Sequence, residues 1–387
     1  MIITALFGII TQLFRSHEQD VSLGMSAQLN QLILSNIRNL GTLDLSFGPQ
    51  FNVFVGANGS GKTSLLEAIH LLGMGRSFRA RSMRQIISFG SDQCLIRARV
   101  GDQDDDAQGS IWLAVERTLA GDSQYKIGGQ LERSATELTK VLPVQLIDVN
   151  SHLLLEGGPN YRRQFMDWGV FHVEHNFLQQ WRLMRRALEQ RNMALKQRQI
   201  PAATWDEAFV KYATAVDMAR NDYVQRFCKI FLVMLEEMLG LTTVELHYNR
   251  GWSQLQELRV ALEDSKFADL AHGYTHRGPQ RADLEINLDG KPAKEVLSRG
   301  QIKIFVCIML LARTKLLQDT RSSVFLIDDL HAELDKNSCG LFIEAIKAMG
   351  CQVFITGIDG ASLLERLHDC AIRMFHVEHG IIREQAI

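Results

Sequence analysis

Apolar and polar positions alternate near the start of the chain and again in its last third. QLILSNIRNL alternates, and LDLSF leads through a Gly-Pro turn into FNVFVG, so the segment from Leu29 to Phe54 is predicted to be strand-like. SLLEAIHLLGMG then has apolar residues at helical spacing and glycines at its end, which predicts a helix. After Thr242 the pattern returns to strands and short helices, so both ends of the chain predict α/β structure.

The middle of the chain has a different pattern. From about Tyr161 to Leu239 it is charged, helical in spacing and rich in Arg, Gln, Leu and Met, and Pro201 interrupts it. We predict two long antiparallel helices joined near residues 199–204. The predicted fold class is therefore an α/β lobe, a mixed sheet with helices, that carries an inserted and mainly helical second lobe. The predicted parts are residues 1–24, 25–150, 151–245 and 246–387, in which 151–245 is the insertion.

Residues 1–24 stand apart from this scheme. Their apolar run from Ile2 to Phe14 is shorter than the roughly 20 residues that span a membrane. The run lacks the basic first region and the small-residue cleavage site of a signal peptide. Because Met25 comes just before the first strand pattern, we expect it to be the natural start and residues 1–24 to be an N-terminal extension.

Composition narrows the class of protein. Among 387 residues, 46% are hydrophobic and 22% charged, which is ordinary for a globular protein and excludes a fibrous or disordered class. A net charge of −2 means that any contact with DNA must use local basic patches. Six scattered cysteines without a C-x-x-C pair argue against disulfides or a zinc site and fit a cytoplasmic location.

The strongest motif is a phosphate-binding loop between the predicted strand FNVFVG and the predicted helix. It matches G-x-x-x-x-G-K-[ST], in which backbone N–H groups and the helix N-terminus surround phosphate oxygens. Lys62 is expected to reach the β- and γ-phosphates of ATP, and Thr63 to ligate Mg²⁺. The predicted ATP-binding residues are Gly56, Ala57, Asn58, Gly59, Ser60, Gly61, Lys62 and Thr63.

Two later motifs complete such a site. VFLIDDLHAELD is an apolar strand that ends in Asp328 and Asp329, and Asp328 is placed to hold Mg²⁺ through water. LSRGQ, at Leu297–Gln301, precedes the apolar helix QIKIFVCIMLLAR, so the Ser298 hydroxyl, the Gly300 amide and the helix dipole form an anion site. These motifs resemble those of the ABC/SMC class of ATPases.

That resemblance implies an ATP-dependent homodimer. In this class the motif at the position of LSRGQ, called the signature, faces the γ-phosphate held by the other subunit. This would give a role in trans to Ser298, Arg299, Gly300 and Gln301. Asp329 stands where most members have the glutamate that polarises the attacking water, and its shorter side chain predicts slow hydrolysis. The predicted catalytic residues are Lys62, Asp328 and Asp329. Thr356 stands where transporters have their switch histidine, and its role is left open.

A closer resemblance follows from three stretches in order. They are the N-terminal LNQLILSNIRNL with the phosphate loop, GGPNYRRQFMDWGVFH at Gly157–His172, and THRGPQRADLEINLDGKPAKEVLSRGQ at Thr275–Gln301. Together they resemble the RecF family over essentially Met25 to the C-terminus. Gln280 departs from this pattern, because the family usually has histidine there.

The resemblance implies a two-lobed, ATP-dependent DNA-binding protein with weak, DNA-stimulated ATPase activity. It would act at single-strand/double-strand junctions of gapped DNA, with RecO and RecR, to help load RecA and in SOS induction. Two alternatives remain open. An ATPase subunit of a nuclease or defence system is disfavoured because no stretch is large or acidic enough for a nuclease domain. A cytosolic transport ATPase is disfavoured by the interrupted ATPase lobe and by the missing coupling partner.

Basic residues supply the candidate DNA contacts. Arg182, Arg185 and Arg186, with Arg163, could share one helical face open to a phosphate backbone. A solvated charged face is the alternative for each arginine, and Arg162 and Arg163 could instead form structural pairs near the lobe junction, with Asp167 as a partner. The predicted DNA-binding residues are Arg162, Arg163, Arg182, Arg185, Arg186 and, near the ATP site, Arg79. We expect DNA binding only by the ATP dimer.

Overall fold

A computed structural model describes residues 28–80, 82–101, 110–198, 201–317, 322–330, 334–358 and 361–386. The predicted N-terminal extension, residues 1–24, lies outside them. Within these ranges no helix is long and apolar enough to cross a membrane.

The elements are numbered in chain order. The strands are β1 (Leu29–Ser35), β2 (Leu43–Ser46), β3 (Phe51–Val55), β4 (Gln93–Gly101), β5 (Ser110–Thr118), β6 (Ser123–Ile127), β7 (Gln130–Glu132), β8 (Val144–Ile147), β9 (Val244–Asn249), β10 (Asp283–Leu288), β11 (Lys291–Pro292), β12 (Val324–Ile327), β13 (Gln352–Gly357), β14 (Ile372–Glu378) and β15 (Ile381–Gln385). The α-helices are α1 (Lys62–Met74), α2 (Thr136–Val141), α3 (Leu153–Glu156), α4 (Pro159–Val173), α5 (Phe177–Gln197), α6 (Asp206–Leu239), α7 (Leu258–Asp264), α8 (Lys266–His272), α9 (Ala293–Val296), α10 (Arg299–Leu317), α11 (Lys336–Met349) and α12 (Ala361–Leu367). Short 3₁₀ helices cover Met83–Gln85, Ala202–Trp205 and Pro279–Arg281.

A mixed six-stranded sheet forms the centre of the ATPase lobe, in the order β15-β14-β3-β13-β12-β8. Strand β3 is parallel to both of its neighbours, β13 and β14, and all five of its residues are buried. Its side chains divide between two hydrophobic cores: Phe51, Val53 and Val55 enter one, and Phe54 enters the other. Full burial on both faces explains why FNVFV is apolar except for Asn52, whose side-chain amide exchanges hydrogen bonds with the Gly48 backbone.

The second sheet is antiparallel, in the order β2-β1-β4-β5-β6-β7, and shares a core with α1. Strand β4 buries alternate residues such as Ile96 and Ala98, as expected for a sheet with one covered face. Helix α1 contributes Leu65, Ile69 and Leu72 to the same core. The helix that follows the phosphate loop is therefore enclosed between the two sheets.

The predicted pair of long helices is confirmed. Helices α5 and α6 have 21 and 34 residues and flank the connection that contains Pro201. They are antiparallel, because Arg191 near the end of α5 pairs with Asp206 at the start of α6, whereas Glu174 before α5 pairs with Arg226. Helix α6 also reaches the ATPase lobe: Phe231 makes an edge-to-face contact with Phe305 of α10, with ring centroids 5.2 Å apart.

The three-stranded sheet β11-β10-β9 packs on the helices. Asp283 of β10 accepts two hydrogen bonds from Arg162 of α4, and the Tyr248 hydroxyl of β9 donates to Asp217 of α6. This placement differs from the predicted division, which put every residue from 246 onward in the ATPase lobe. The alternating pattern indicates a strand, but it does not indicate which lobe its apolar face will cover.

Candidate nucleotide site

The phosphate loop connects β3 to α1 across residues 56–61 and packs against the backbone of β14 and the side chain of Leu40. A β-carbon on Gly56 would lie 2.1 Å from the carbonyl oxygen of Val377 in β14. At Gly61, which has φ +123°, a β-carbon would lie 2.8 Å from Leu40 Cδ2. Both positions therefore require glycine, for close approach and, at Gly61, also for backbone conformation.

The Lys62 side chain folds back across this loop. Its ammonium donates to the carbonyl oxygens of Gly56, at 2.7 Å, and Ala57, at 2.9 Å. Burial lowers the pKa of Lys62, and the carboxylates of Asp329 and Asp328 act in the opposite direction. The lysine is thus a largely buried cation beside two carboxylates, at the start of a helix whose N-terminus favours anions.

Asp328 joins the loop to the end of β12. Its Oδ1 accepts hydrogen bonds from the Thr63 hydroxyl, at 2.9 Å, and from the Thr356 hydroxyl, at 2.8 Å. Thr356 Oγ1 also accepts a hydrogen bond from the backbone N–H of Asp329, at 2.9 Å. The fold thus brings together the two predicted magnesium ligands, Thr63 and Asp328, which are 265 residues apart in sequence. Their hard oxygen atoms suit Mg²⁺.

These groups line one cavity of about 540 Å³. Its walls are formed by Arg38, Asn58, Gly59, Gly61, Lys62, Thr63, Ser64, Arg79, Val149, Asp328, Asp329 and Thr356. The cavity wall includes the positively charged side chains of Arg38, Lys62 and Arg79, so the cavity is suited to a polyphosphate. Asp329, which has φ +56°, places its half-buried carboxylate in the cavity wall beside Asp328.

Arg38 and Asn39 are functional candidates that the sequence analysis missed. The Arg38 guanidinium pairs with Glu67, a fully buried residue of α1. The Asn39 amide donates to the Ser60 carbonyl at 3.2 Å, and its oxygen accepts from the Ser64 hydroxyl at 3.0 Å. Asn39 therefore braces the phosphate loop, and Arg38 braces the helix that follows it. The available signal was the charged and polar interruption in the alternating run LILSNIRNL.

The signature motif lies outside this cavity. Ser298 and Gln301 form a reciprocal cap at the start of α10: the Ser298 N–H donates to Gln301 Oε1 at 2.9 Å, and the Gln301 N–H donates to Ser298 Oγ at 3.3 Å. The four residues from Ser298 to Gln301 are exposed, whereas Leu297 and Ile302 on either side are buried. The motif is therefore a rigid, solvent-facing helix start.

The predicted DNA-binding arginines fall into two groups, and two of them make structural contacts. Arg162 pairs bidentately with Asp283, at 2.7 and 2.9 Å, and also donates to the Gly157 carbonyl at 2.8 Å. Arg163 donates to the Ala282 carbonyl at 2.9 Å, and burial lowers its pKa. Both arginines join α4 to the small sheet, so the structural alternative applies to them. Asp167, the partner suggested for them, forms its ion pair with Arg220 and acts on Arg163 only through its nearby charge.

The remaining candidates are accessible. Arg182, Arg185 and Arg186 are exposed along α5, and Arg185 stacks on Trp181 with 5.0 Å between the guanidinium carbon and the ring centroid. Arg79 is also exposed, but it borders the nucleotide cavity. The three arginines of α5 thus form one basic surface, which we call the α5 arginine face.

Curated relatives match nearly the whole chain. The protein named DNA replication and repair protein RecF from Pseudomonas syringae pv. tomato is 40% identical over 363 residues, which cover 92% of this chain and 98% of the relative. The protein of the same name from Chromohalobacter salexigens is 40% identical over 91% of this chain and 98% of its own.

A family model and a solved structure agree with these relatives. A structure titled as the recombination mediator protein RecF-ATP in the RecFOR pathway matches 95% of this chain and 100% of its own, with a TM-score of 0.83 and 24% identity, which supports the fold. The model described as RecF/RecN/SMC N terminal domain matches residues 28–383. The chain therefore belongs to the RecF family of DNA replication and repair proteins, whose fold is that of the SMC/ABC ATPases.

Proposed function

We propose that this protein is an ATP-dependent DNA-binding protein of recombinational repair, which dimerises when it binds ATP and hydrolyses ATP slowly. One observation carries the proposal: the predicted site residues lie in two separate places on the protomer. Lys62, Thr63 and Asp328 are assembled in one cavity, whereas the capped Ser298 stands exposed at the start of another element. A second protomer would supply its exposed signature to the γ-phosphate.

The chemistry assigned to each residue follows from its place in the cavity. The loop N–H groups and Lys62 would hold the phosphates, and Thr63 and Asp328 would hold Mg²⁺. The metal ion would neutralise charge on the β- and γ-phosphate oxygens. Asp329 would orient the attacking water, and the Thr356 hydroxyl, bonded to Asp328 and to the Asp329 N–H, would keep this strand end in register. Because aspartate is shorter than the glutamate of most members, this position suits slow hydrolysis, and therefore a switch more than a motor.

The DNA surface we assign is the α5 arginine face. Each protomer of an ATP dimer would contribute one such face, and the affinity for DNA should then fall steeply with salt. Membership of the RecF family supports action at single-strand/double-strand junctions of gapped DNA. It also supports cooperation with RecO and RecR in loading RecA, and a role in SOS induction.

Light scattering on the full chain tests the proposal. ATP with Mg²⁺ should convert the monomer to a dimer, and a gapped duplex should bind to the dimer but weakly to the monomer. If the protein remains monomeric with saturating ATP and still binds DNA, the divided-site proposal fails. Cleavage of a plasmid with Mg²⁺ would support the nuclease-associated alternative.

A triple variant tests the DNA surface. Replacing Arg182, Arg185 and Arg186 by alanine should weaken binding to gapped DNA by about 30-fold at 0.1 M salt, because two faces each lose three phosphate contacts. The salt dependence should become shallower in proportion. Arg226→Ala is a matched control, because Arg226 is an exposed helical arginine on α6 that pairs with acids. Equal losses in the two proteins would remove the α5 arginine face from the proposal.

A further inference from the structure

Arg313 is a buried arginine whose role the proposed function does not explain. It lies toward the C-terminal end of α10, the helix that the signature begins, and is only 7% exposed. Arg191 and Arg220, also buried, pair with Asp269 and Asp167. Within the part of the chain that the structure describes, Arg313 has no carboxylate partner. Burial lowers its pKa to about 10, so it remains charged at neutral pH.

Its partners belong to two other elements. The guanidinium carbon lies 4.1 Å from the ring centroid of Trp168 and 4.8 Å from that of Phe165, both on α4. Its Nε and Nη2 donate to Gln145 Oε1 of β8, at 3.1 and 2.9 Å. Gln145, 1% exposed, returns a hydrogen bond from its amide to Thr314 of α10. Arg313 thus joins the helical lobe, the signature helix and the ATPase sheet at one point.

Strand β8 leads directly to the nucleotide site. It is parallel to β12, and the backbone N–H of Asp328 donates to the carbonyl of Ile147, the last residue of β8, at 2.9 Å. On the other side, α4 continues after a short turn into α5, which carries the arginine face. The Arg313 contacts therefore lie on one continuous path of packed elements between the proposed DNA surface and both halves of the proposed ATP site.

A buried charge costs free energy that an apolar residue of similar size would avoid. The contacts of Arg313 are directional, and each depends on the angle between α10 and its neighbours. We propose that Arg313 is a positioning residue that makes the signature helix follow the helical lobe, so that DNA bound on α5 orients Ser298 toward the ATP of the partner. This inference rests on the proposed function and deepens it.

The test compares Arg313→Met with wild type. In wild type, gapped DNA should lower the ATP concentration that half-dimerises the protein by about 10-fold. In Arg313→Met this effect should fall below about 2-fold, while the affinity of the monomer for a fluorescent ATP analogue stays within about 2-fold. Arg313→Lys keeps the charge but loses the pair of hydrogen bonds to Gln145 Oε1, so it should retain part of the effect.

Arg250→Met is the matched control. Arg250 also stacks on a tryptophan, Trp252, at 3.9 Å, and pairs with Asp217, but it joins the small sheet to α6 without contacting α10. Its replacement should lower the melting temperature and leave the DNA effect intact. If Arg313→Met keeps the DNA effect, or if Arg250→Met loses it equally, the inference is wrong.

Two further outcomes are separable. If Arg313→Met does not fold, Trp168→Leu, which removes the stacking surface from the other side, should abolish the DNA effect, and an intact effect there would overturn the inference. If wild type does not dimerise with ATP, the proposed function fails and this inference fails with it. If wild type dimerises but DNA has no effect on the ATP requirement, the inference alone fails.

Discussion

The two halves of the proposed ATP site are built in opposite ways. The half formed by the phosphate loop and Asp328 is enclosed: Lys62 is 8% exposed, and Asp328 is hydrogen-bonded to residues of two other elements. The signature half is open: Ser298 and Gln301 are exposed and bond mainly to each other. In the proposed dimer the first half lies within one protomer, and the second half would meet the γ-phosphate bound by the other protomer.

We therefore expect the enclosed half to govern nucleotide binding and the open half to govern dimerisation. A change in the enclosed half should weaken nucleotide binding by each monomer, whereas a change in the open half should leave monomer binding intact and weaken the dimer. The cap also explains why the exposed half destabilises the protomer little. A capped helix start costs little to leave in water, because its N–H groups are satisfied by Ser298, Gln301 and solvent.

The largest effect is expected at Lys62. Lys62→Met should weaken ATP binding by about 100-fold or more, because the phosphates lose charge-assisted hydrogen bonds in a partly buried site. The fold should be retained, since methionine keeps the length of the side chain. Titration of the monomer with a fluorescent ATP analogue measures this, and circular dichroism checks the fold. Binding within a few-fold of wild type would mean that the cavity is not the nucleotide site.

A smaller and more selective effect is expected at Ser298. Ser298→Arg should leave ATP binding by the monomer within about 2-fold and weaken ATP-dependent dimerisation by at least about 30-fold, because the bulky cation replaces the cap that would meet the γ-phosphate. Light scattering across a range of protein concentrations measures the dimer. Lys294→Arg is the control, an exposed lysine in the preceding helix α9. A variant that dimerises like wild type would contradict the trans arrangement.

How far the sequence could predict this site depends on how local each signal is. The phosphate loop and the capped signature were predictable because the spacing of glycine, lysine and serine directly determines backbone conformation there. Arg38 and Arg313 were not, because their partners, Glu67 and Gln145, are distant in sequence and become neighbours only when helices pack on the sheets.

The same limit applies to the arginines of the helical lobe. Arg162 and Arg182 look alike in a basic helical pattern. In the structure, Arg162 is covered because it pairs with Asp283 of the small sheet, whereas Arg182 is exposed. The pair of long helices was predictable from periodicity and Pro201. The attachment of residues 244–292 to those helices was not predictable, because a strand pattern does not indicate which element the strand will pack against.

The smallest effect is expected at Asp148, which tests whether the enclosed half contains a charge that it does not need. This carboxyl is 8% exposed at the end of β8 and accepts hydrogen bonds from the Ser151 hydroxyl and the Asn150 N–H, each at 3.1 Å. Burial raises its pKa above the ordinary value of 3.8, and Asp328 adds to the rise. Asp148→Asn keeps an acceptor for these two hydrogen bonds, loses only the longer one from the Asn150 side-chain amide at 3.4 Å, and removes the buried charge, so it should raise the melting temperature at pH 7 by on the order of 2 °C.

The pH dependence distinguishes this explanation from a role in binding the metal ion. Because the folded pKa of Asp148 is the higher one, the wild type carries its penalised carboxylate above that pKa, and the advantage of asparagine should disappear as the pH falls through it toward 3.8. Melting temperatures between pH 4 and 8 measure this, with the exposed Asp92→Asn as the control. If Asp148→Asn instead lowers the melting temperature only when ATP and Mg²⁺ are present, the carboxylate serves the bound nucleotide. The enclosed half would then extend to β8, the strand that Arg313 contacts.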